Sequence, residues 1–143
     1  MAETSEAWFW RMRRGEAPEP PVAGLLGQRF DVVDAAAGTL RMRFEAAATF
    51  LNPAGQVQGG MLGAMLDAAT ASIVDATLAP QEAVATLNLQ LSFLRPAMAG
   101  ELVAEARIVR RGRQVAFVEA TLQQDGRAVA TAQATCMIVG RSA

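Results

Sequence analysis

The sequence predicts an α+β domain in which one long helix lies against a curved antiparallel β-sheet. Three observations carry this. Between residues 59 and 79, Leu62, Leu66, Ala69 and Ile73 follow one another at spacings of four, three and four, which is one apolar helical face. The segments on either side alternate apolar and polar residues with period two. The later strands are joined by short turns, among them Asp125-Gly126, a hairpin signal. A single long helix has nothing else to pack on, so the sheet is expected to curl around it.

The elements follow in order. Residues 3–14 read as a short amphipathic helix, with Trp8, Phe9 and Met12 as its apolar contacts. Pro18, Pro20 and Pro21 then break the chain, and residues 15–21 act as a connector. The Trp8-Phe9-Trp10 cluster is expected to dock this terminus on the domain. Residues 28–33 and 39–46 read as two strands; in the second, Leu40, Met42 and Phe44 alternate with Arg41, Arg43 and Glu45. Residues 49–56 form a loop with Asn52-Pro53-Ala54-Gly55 as its turn. The helix runs to about Ala79, where Pro80 ends it. Four strands follow, at 83–95, 101–111, 114–124 and 127–139. The first should present Leu87, Leu89, Leu91 and Phe93 on one face, and the second Leu102, Ala104, Ala106 and Ile108. The 143 residues fit one domain able to bury a core without staples. Residues 1–21 serve as its N-terminal helix and connector, and 22–143 as the domain itself.

Composition narrows the chemistry. All 13 basic residues are Arg, against 14 acidic ones, so the formal charge of -1 gives no basic field for nucleic acid. There is no His, Lys or Tyr. That excludes a Ser-His-Asp or Cys-His nucleophile, His-ligated zinc, a Schiff base and a P-loop lysine. The one cysteine, Cys136, allows no intrachain disulfide or thiolate cluster, and its place mid-strand suits a small buried hydrophobe. No apolar run approaches the ~20 residues of a membrane span, and the N-terminus has no signal-peptide pattern. The expectation is a cytoplasmic protein without cofactor, whose 52% hydrophobic content suits burial against copies of itself.

Asp67 is the informative residue. It sits mid-helix among apolar neighbours, where propensity does not place Asp. Steps of four back from it reach Gly63 and Gly59, and one step forward reaches Ala71, with Gly60 and Ala64 alongside. Glycines weaken a helix, so this stripe suggests that something approaches its backbone closely. Gly59 and Gly60 open the helix, where free N–H groups at the positive end of the macrodipole can bind a carbonyl oxygen gaining charge. Eight residues at about 1.5 Å each put Gly59 about 12 Å from Asp67. One carbonyl cannot use both in the same chain, but two antiparallel helices in a dimer would bring Gly59 of one chain to Asp67 of the other.

The loop Asn52-Pro-Ala-Gly-Gln-Val-Gln-Gly-Gly60, with Asp67 after it, resembles the hotdog-fold acyl-CoA thioesterases of the phenylacetate-degradation (PaaI-like) type. The run from Thr86 to Ala97 resembles the strand after the helix in that family, and Arg111-Gly-Arg-Gln-Val-Ala-Phe117 resembles its next strand turn. The likeness covers about residues 22–139. It implies the hotdog fold, paired as a dimer and often as a dimer of dimers, and hydrolysis of acyl thioesters. It implies Asp67 as general base or nucleophile and Gly59 as the oxyanion N–H. Asn52 would orient the thioester or the water, and Thr86 would help hold the water. The family usually has His where this chain has Gln58, which can hydrogen-bond but cannot take up a proton. A non-catalytic acyl-CoA binder, degenerate at Gln58, is the alternative. Gly60 and Met61, with Met65 and Phe93, are candidates to line the acyl site. Arg110, Arg111 and Arg113, with Arg95 and Arg107 on nearby strands, are candidates for the CoA phosphates.

Overall fold

In the computed structural model, which describes residues 6–141, the period-two segments form one six-stranded antiparallel sheet. Its strands are β1 (Arg29–Asp34), β2 (Thr39–Ala46), β3 (Glu82–Phe93), β4 (Gly100–Arg111), β5 (Val115–Gln124) and β6 (Arg127–Gly140). They lie in the order β1-β2-β4-β5-β6-β3, so β1 and β3 are the sheet edges. Helix α3 (Gly59–Asp75) crosses the inner face and packs against β2, β3, β4, β5 and β6. It buries Leu62, Met65, Leu66, Ala69, Ile73 and Val74, the face that the spacing predicts. Each large side chain on that face contributes about 1.5–3 kcal/mol relative to exposure. The sheet answers with alternating buried residues, among them Met42, Phe44, Leu102, Ala104, Val118, Leu122 and Ala134. The β5–β6 hairpin turns at Asp125 and Gly126, both at positive φ (51° and 76°), as a two-residue turn of this hand requires. No helix among the described residues is long and apolar enough to cross a membrane.

Four local features differ from the expectation. The first helix, α1, is shorter, Trp8–Arg13; residues 3–5 of the expected span lie outside the described residues. The aromatic cluster docks it: Phe9 is buried and edge-on to Phe30, and the Trp10 indole N–H donates to the Ala76 carbonyl at 3.0 Å. Second, the connector does not run to Pro21. That residue starts a further helix, α2 (Pro21–Leu26), because a proline at the first helical position loses no hydrogen bond. Third, α3 stops at Asp75 rather than near Ala79. The Thr77 hydroxyl donates to the Val74 carbonyl at 2.7 Å, and the Thr77 and Leu78 N–H groups bond three residues back, tightening the chain out of the helix.

The fourth difference matters most for the site. Leu87 does not share a face with Leu89, Leu91 and Phe93. The β3–β6 register shifts between Thr86 and Asn88, so Leu87 is a bulge residue, 59% exposed. An unbroken strand would put Thr86 on the face opposite Leu89. The extra residue turns Thr86 to the inner face, toward α3.

Candidate active site

Asp67 lies two turns into α3, half-buried, and accepts a hydrogen bond from the Thr86 hydroxyl, Oγ1 to Oδ1 at 2.9 Å. The helix supplies the carboxylate and the bulge of β3 supplies its donor. Beneath this pair, buried Thr70 bonds back to the Leu66 and Asp67 carbonyls, at 3.0 and 3.2 Å. Cys136 of β6 is the cross-strand neighbour of Thr86 and is fully buried. Burial first, and the Asp67 charge second, push its thiol up from the ordinary value, while the Thr86 hydroxyl works in the opposite direction.

The glycine stripe is explained within the chain. A Cβ on Gly63 would stand 2.7 Å from Leu91 Cδ1, and one on Gly59 would stand 3.2 Å from the Phe93 ring. What approaches the helix here is the inner face of its own β3. The helix face left uncovered carries exposed Gly60 and half-buried Met61, Ala64, Ala68 and Ala71.

The loop before the helix is built on Asn52. Its Oδ1 accepts from the Ala54 N–H at 3.0 Å and the Gln56 N–H at 3.2 Å, and its own N–H donates to the Gln56 carbonyl at 2.7 Å. With Oδ1 engaged, the side-chain NH2 is the group left to meet a ligand. Val57 donates to the Ala97 carbonyl and Gln58 to the Phe50 carbonyl, both at 2.8 Å, which fixes the loop just ahead of Gly59. Gln58 is the exposed N-cap, and its side chain makes no capping bond. Its carbonyl accepts from Met61 and Leu62, so the first helical N–H groups, those of Gly59 and Gly60, precede any intrahelical acceptor.

The expected arginine cluster is divided. Arg110 pairs across the sheet with exposed Phe117, whereas Arg111 pairs with buried Ala116 and so lies on the helix side. Arg111 Nε donates to Thr77 Oγ1 at 2.9 Å, near the C-terminal end of α3, and exposed Arg113 follows in the turn. Arg107 is occupied by an ion pair with Glu119, and Arg95 by the Ala128 carbonyl. Of the candidate acyl-site residues, Met65 is fully buried in the core, while Phe93 is 53% exposed beside Gly59. The sequence reading missed Asp75, two turns beyond Asp67. Burial pushes its carboxyl up to about 7, with the Arg141 guanidinium acting in the opposite direction. Its step of eight from Asp67 was visible in the sequence; its burial was not.

Residues 49–137 match the family described as acyl-CoA thioesterase N-terminal domain. A protein of Halobacterium salinarum, named as a candidate esterase, is 35% identical over 96 residues, 64% of this chain and 63% of that relative. Among solved structures, a phenylacetic acid degradation-related protein of Ralstonia eutropha JMP134, named as a candidate thioesterase, superposes with a TM-score of 0.90 at 59% identity. That match covers 91% of this chain and 98% of the other. The Escherichia coli PaaI protein from the phenylacetic acid degradation operon superposes with a TM-score of 0.81 at 23% identity, over 94% and 95% of the two chains, a likeness of fold. The long helix wrapped by a curved antiparallel sheet is the hotdog fold that the resemblance implies, and the chain belongs to the PaaI-like branch of the acyl-CoA thioesterase family.

Proposed function

We propose that the protein hydrolyses acyl-CoA thioesters to the free acid and CoA, at a site shared by two copies of the chain. The observation that carries this reading is the Thr86–Asp67 hydrogen bond. The helix and a strand bulge cooperate to hold a half-buried carboxylate in one orientation. The carbonyl oxygen of the thioester sits on the Gly59 N–H of one copy, with Gly60 beside it at the positive end of the helix. Asp67 of the other copy takes a proton from water or attacks the carbonyl itself. The Asn52 amide NH2 and the Gln58 carboxamide are the polar groups of the preceding loop available to the thioester. Thiolate leaves without a strong general acid, which suits a chain lacking His. Antiparallel pairing over the small residues Gly60, Ala64 and Ala68 brings the two parts together.

Thiol release from a panel of acyl-CoA esters tests the reading, and the best ester names the acyl class. No release from any ester, with binding retained in calorimetry, would replace it by a non-catalytic acyl-CoA binder. Two further results are expected. Thr86→Val should lower kcat by about 10- to 100-fold, the value of a hydrogen bond to a charged group, while Thr86→Ser stays near wild type. Equal rates in all three would remove Thr86 from the site. Arg113→Ala should raise KM for CoA esters by about 2- to 5-fold at unchanged kcat, as befits an exposed charge. The same acyl group on a thiol without phosphates should show no change; an equal rise there would show that Arg113 does not meet the phosphates.

A further inference from the structure

Phe93 closes β3 beside the helix start, and the proposed reaction gives it no part. Its ring meets Gly59 tip first: a Cβ there would stand 3.2 Å from Cζ, 3.4 Å from Cε1 and 3.6 Å from Cε2. A Cβ lies about 2.5 Å from its own nitrogen, so the ring tip is within about 6 Å of the Gly59 nitrogen. Phe93 is 53% exposed, so the ring also has surface to offer a ligand. The neighbouring position is different, because a Cβ on Gly60 would meet nothing within 4 Å. The helix start thus has an aromatic wall beside one residue and open space beside the next. The strand end that carries the wall is anchored. Phe93 pairs with Ala130 of β6, and the Leu94 N–H donates to the Val129 carbonyl at 2.8 Å. The Arg95 guanidinium donates to the Ala128 carbonyl at 2.9 Å. Gln124 holds both backbone groups of Met98, accepting from the N–H at 2.8 Å and donating to the carbonyl at 2.7 Å. Between these anchors the Ala97 carbonyl accepts from the Val57 N–H at 2.8 Å, two residues before Gly59. Moving the strand end away from the helix start would break these bonds.

We propose that Phe93 is a specificity-determining residue: its ring bounds the acyl side of the site and selects thioesters whose α-carbon carries no more than one carbon substituent. This rests on the reading of the Gly59 N–H as the seat of the thioester carbonyl. An oxygen on that N–H stands about 2.9 Å from the nitrogen, and the acyl α-carbon is two bonds beyond the oxygen. The carbonyl carbon has two substituents to place. The sulfur leads into the pantetheine arm with its amides, and the Asn52 NH2 and Gln58 carboxamide are the polar groups for that side. The apolar ring then takes the acyl side. A single chain on the α-carbon runs out over Gly60, into the cleft that forms when two copies pair. A second branch at the same carbon points at the ring, and an anchored wall leaves it no room.

Butyryl-CoA and isobutyryl-CoA test this, because they hold the same atoms and differ only in branching at the α-carbon. Wild type should favour butyryl-CoA in kcat/KM by about 10- to 100-fold, the range that one methyl group commands in a shaped pocket. Phe93→Ala should lose rate on butyryl-CoA, gain it on isobutyryl-CoA and bring the two within about 3-fold. Phe93→Leu should move the ratio the same way by less, and it decides the matter if alanine unsettles the strand end. A ratio unmoved in both variants, or equal losses on the two esters, would overturn the proposal. Calorimetry on the two ketone analogues, with CH2 in place of the sulfur, reads the same preference without turnover. A Kd ratio that favours the unbranched ketone in wild type and collapses in Phe93→Ala would support the wall even if no ester is cleaved. Cleavage of both esters with unmoved ratios would leave hydrolysis standing and remove the wall. Failure of both ketones to bind the wild-type protein would also overturn the proposal.

Discussion

Asp67→Asn should lower kcat for acyl-CoA hydrolysis by at least about 10²–10⁴, the contribution of a positioned general base. The change is nearly isosteric. An asparagine carbonyl still accepts the Thr86 hydroxyl bond, so the helix, the bulge and the packing around Thr70 need not move. What is lost is the negative charge, and with it the ability to take a proton from water or to attack a carbonyl. KM should change little, because the thioester oxygen is held elsewhere, on the N–H groups at the helix start. Free-thiol release under saturating ester, with unfolding temperature as a control on the fold, measures the loss. Equal turnover in the two proteins would make Asp67 structural and would remove the proposed mechanism. Comparison with Thr86→Val adds a constraint. If Thr86 acts only by orienting the carboxylate, the double variant should be no slower than Asp67→Asn alone.

Most of the architecture was legible because hydrophobic period and turn chemistry are local. The buried stripe from Leu62 to Ile73 and the paired positive φ values at Asp125-Gly126 follow from residues close in sequence. The bulge at Leu87 was not legible. Leu87, Leu89, Leu91 and Phe93 alternate without a break, and only the pairing with β6 shows that one of them is extra. Thr86 could therefore be named from family likeness, but its turn toward α3 depends on a register shift that period two does not carry. The glycines were read correctly as a sign of close approach, yet the side chains that approach, Leu91 and Phe93, sit about thirty residues away and come from the same chain. The arginines of the basic turn are divided for a related reason. Adjacent residues on a strand point to opposite faces, so Arg110 and Arg111 cannot form one patch.

Asp75 gives the largest expected effect on stability. It ends α3, where the negative end of the helix dipole faces a carboxylate unfavourably. The adjoining Ala76 carbonyl is covered by the Trp10 indole of α1. Burial raises the carboxyl from an ordinary 3.8 to about 7, partly offset by Arg141. The folded protein therefore binds this proton more tightly than the unfolded chain does. Between those two values the folded state carries the excess proton, and stability falls as pH rises. Below about 4 the group is neutral in both states and costs nothing. Above about 7 the full cost is present, on the order of a few kcal/mol. Asp75→Asn removes the titration while keeping the shape of the side chain. The variant should match wild type near pH 4, gain on it through pH 5–7, and be more stable by that full amount at pH 8. Denaturant unfolding at three pH values decides the matter. A difference that does not vary with pH would mean that Asp75 is solvated and ionised throughout, with some other contact responsible for the change. The site at Asp67 lies two turns away, so thiol release at pH 8 should persist in Asp75→Asn while its thermal midpoint rises. A variant that gained stability and lost turnover together would instead place Asp75 in the reaction.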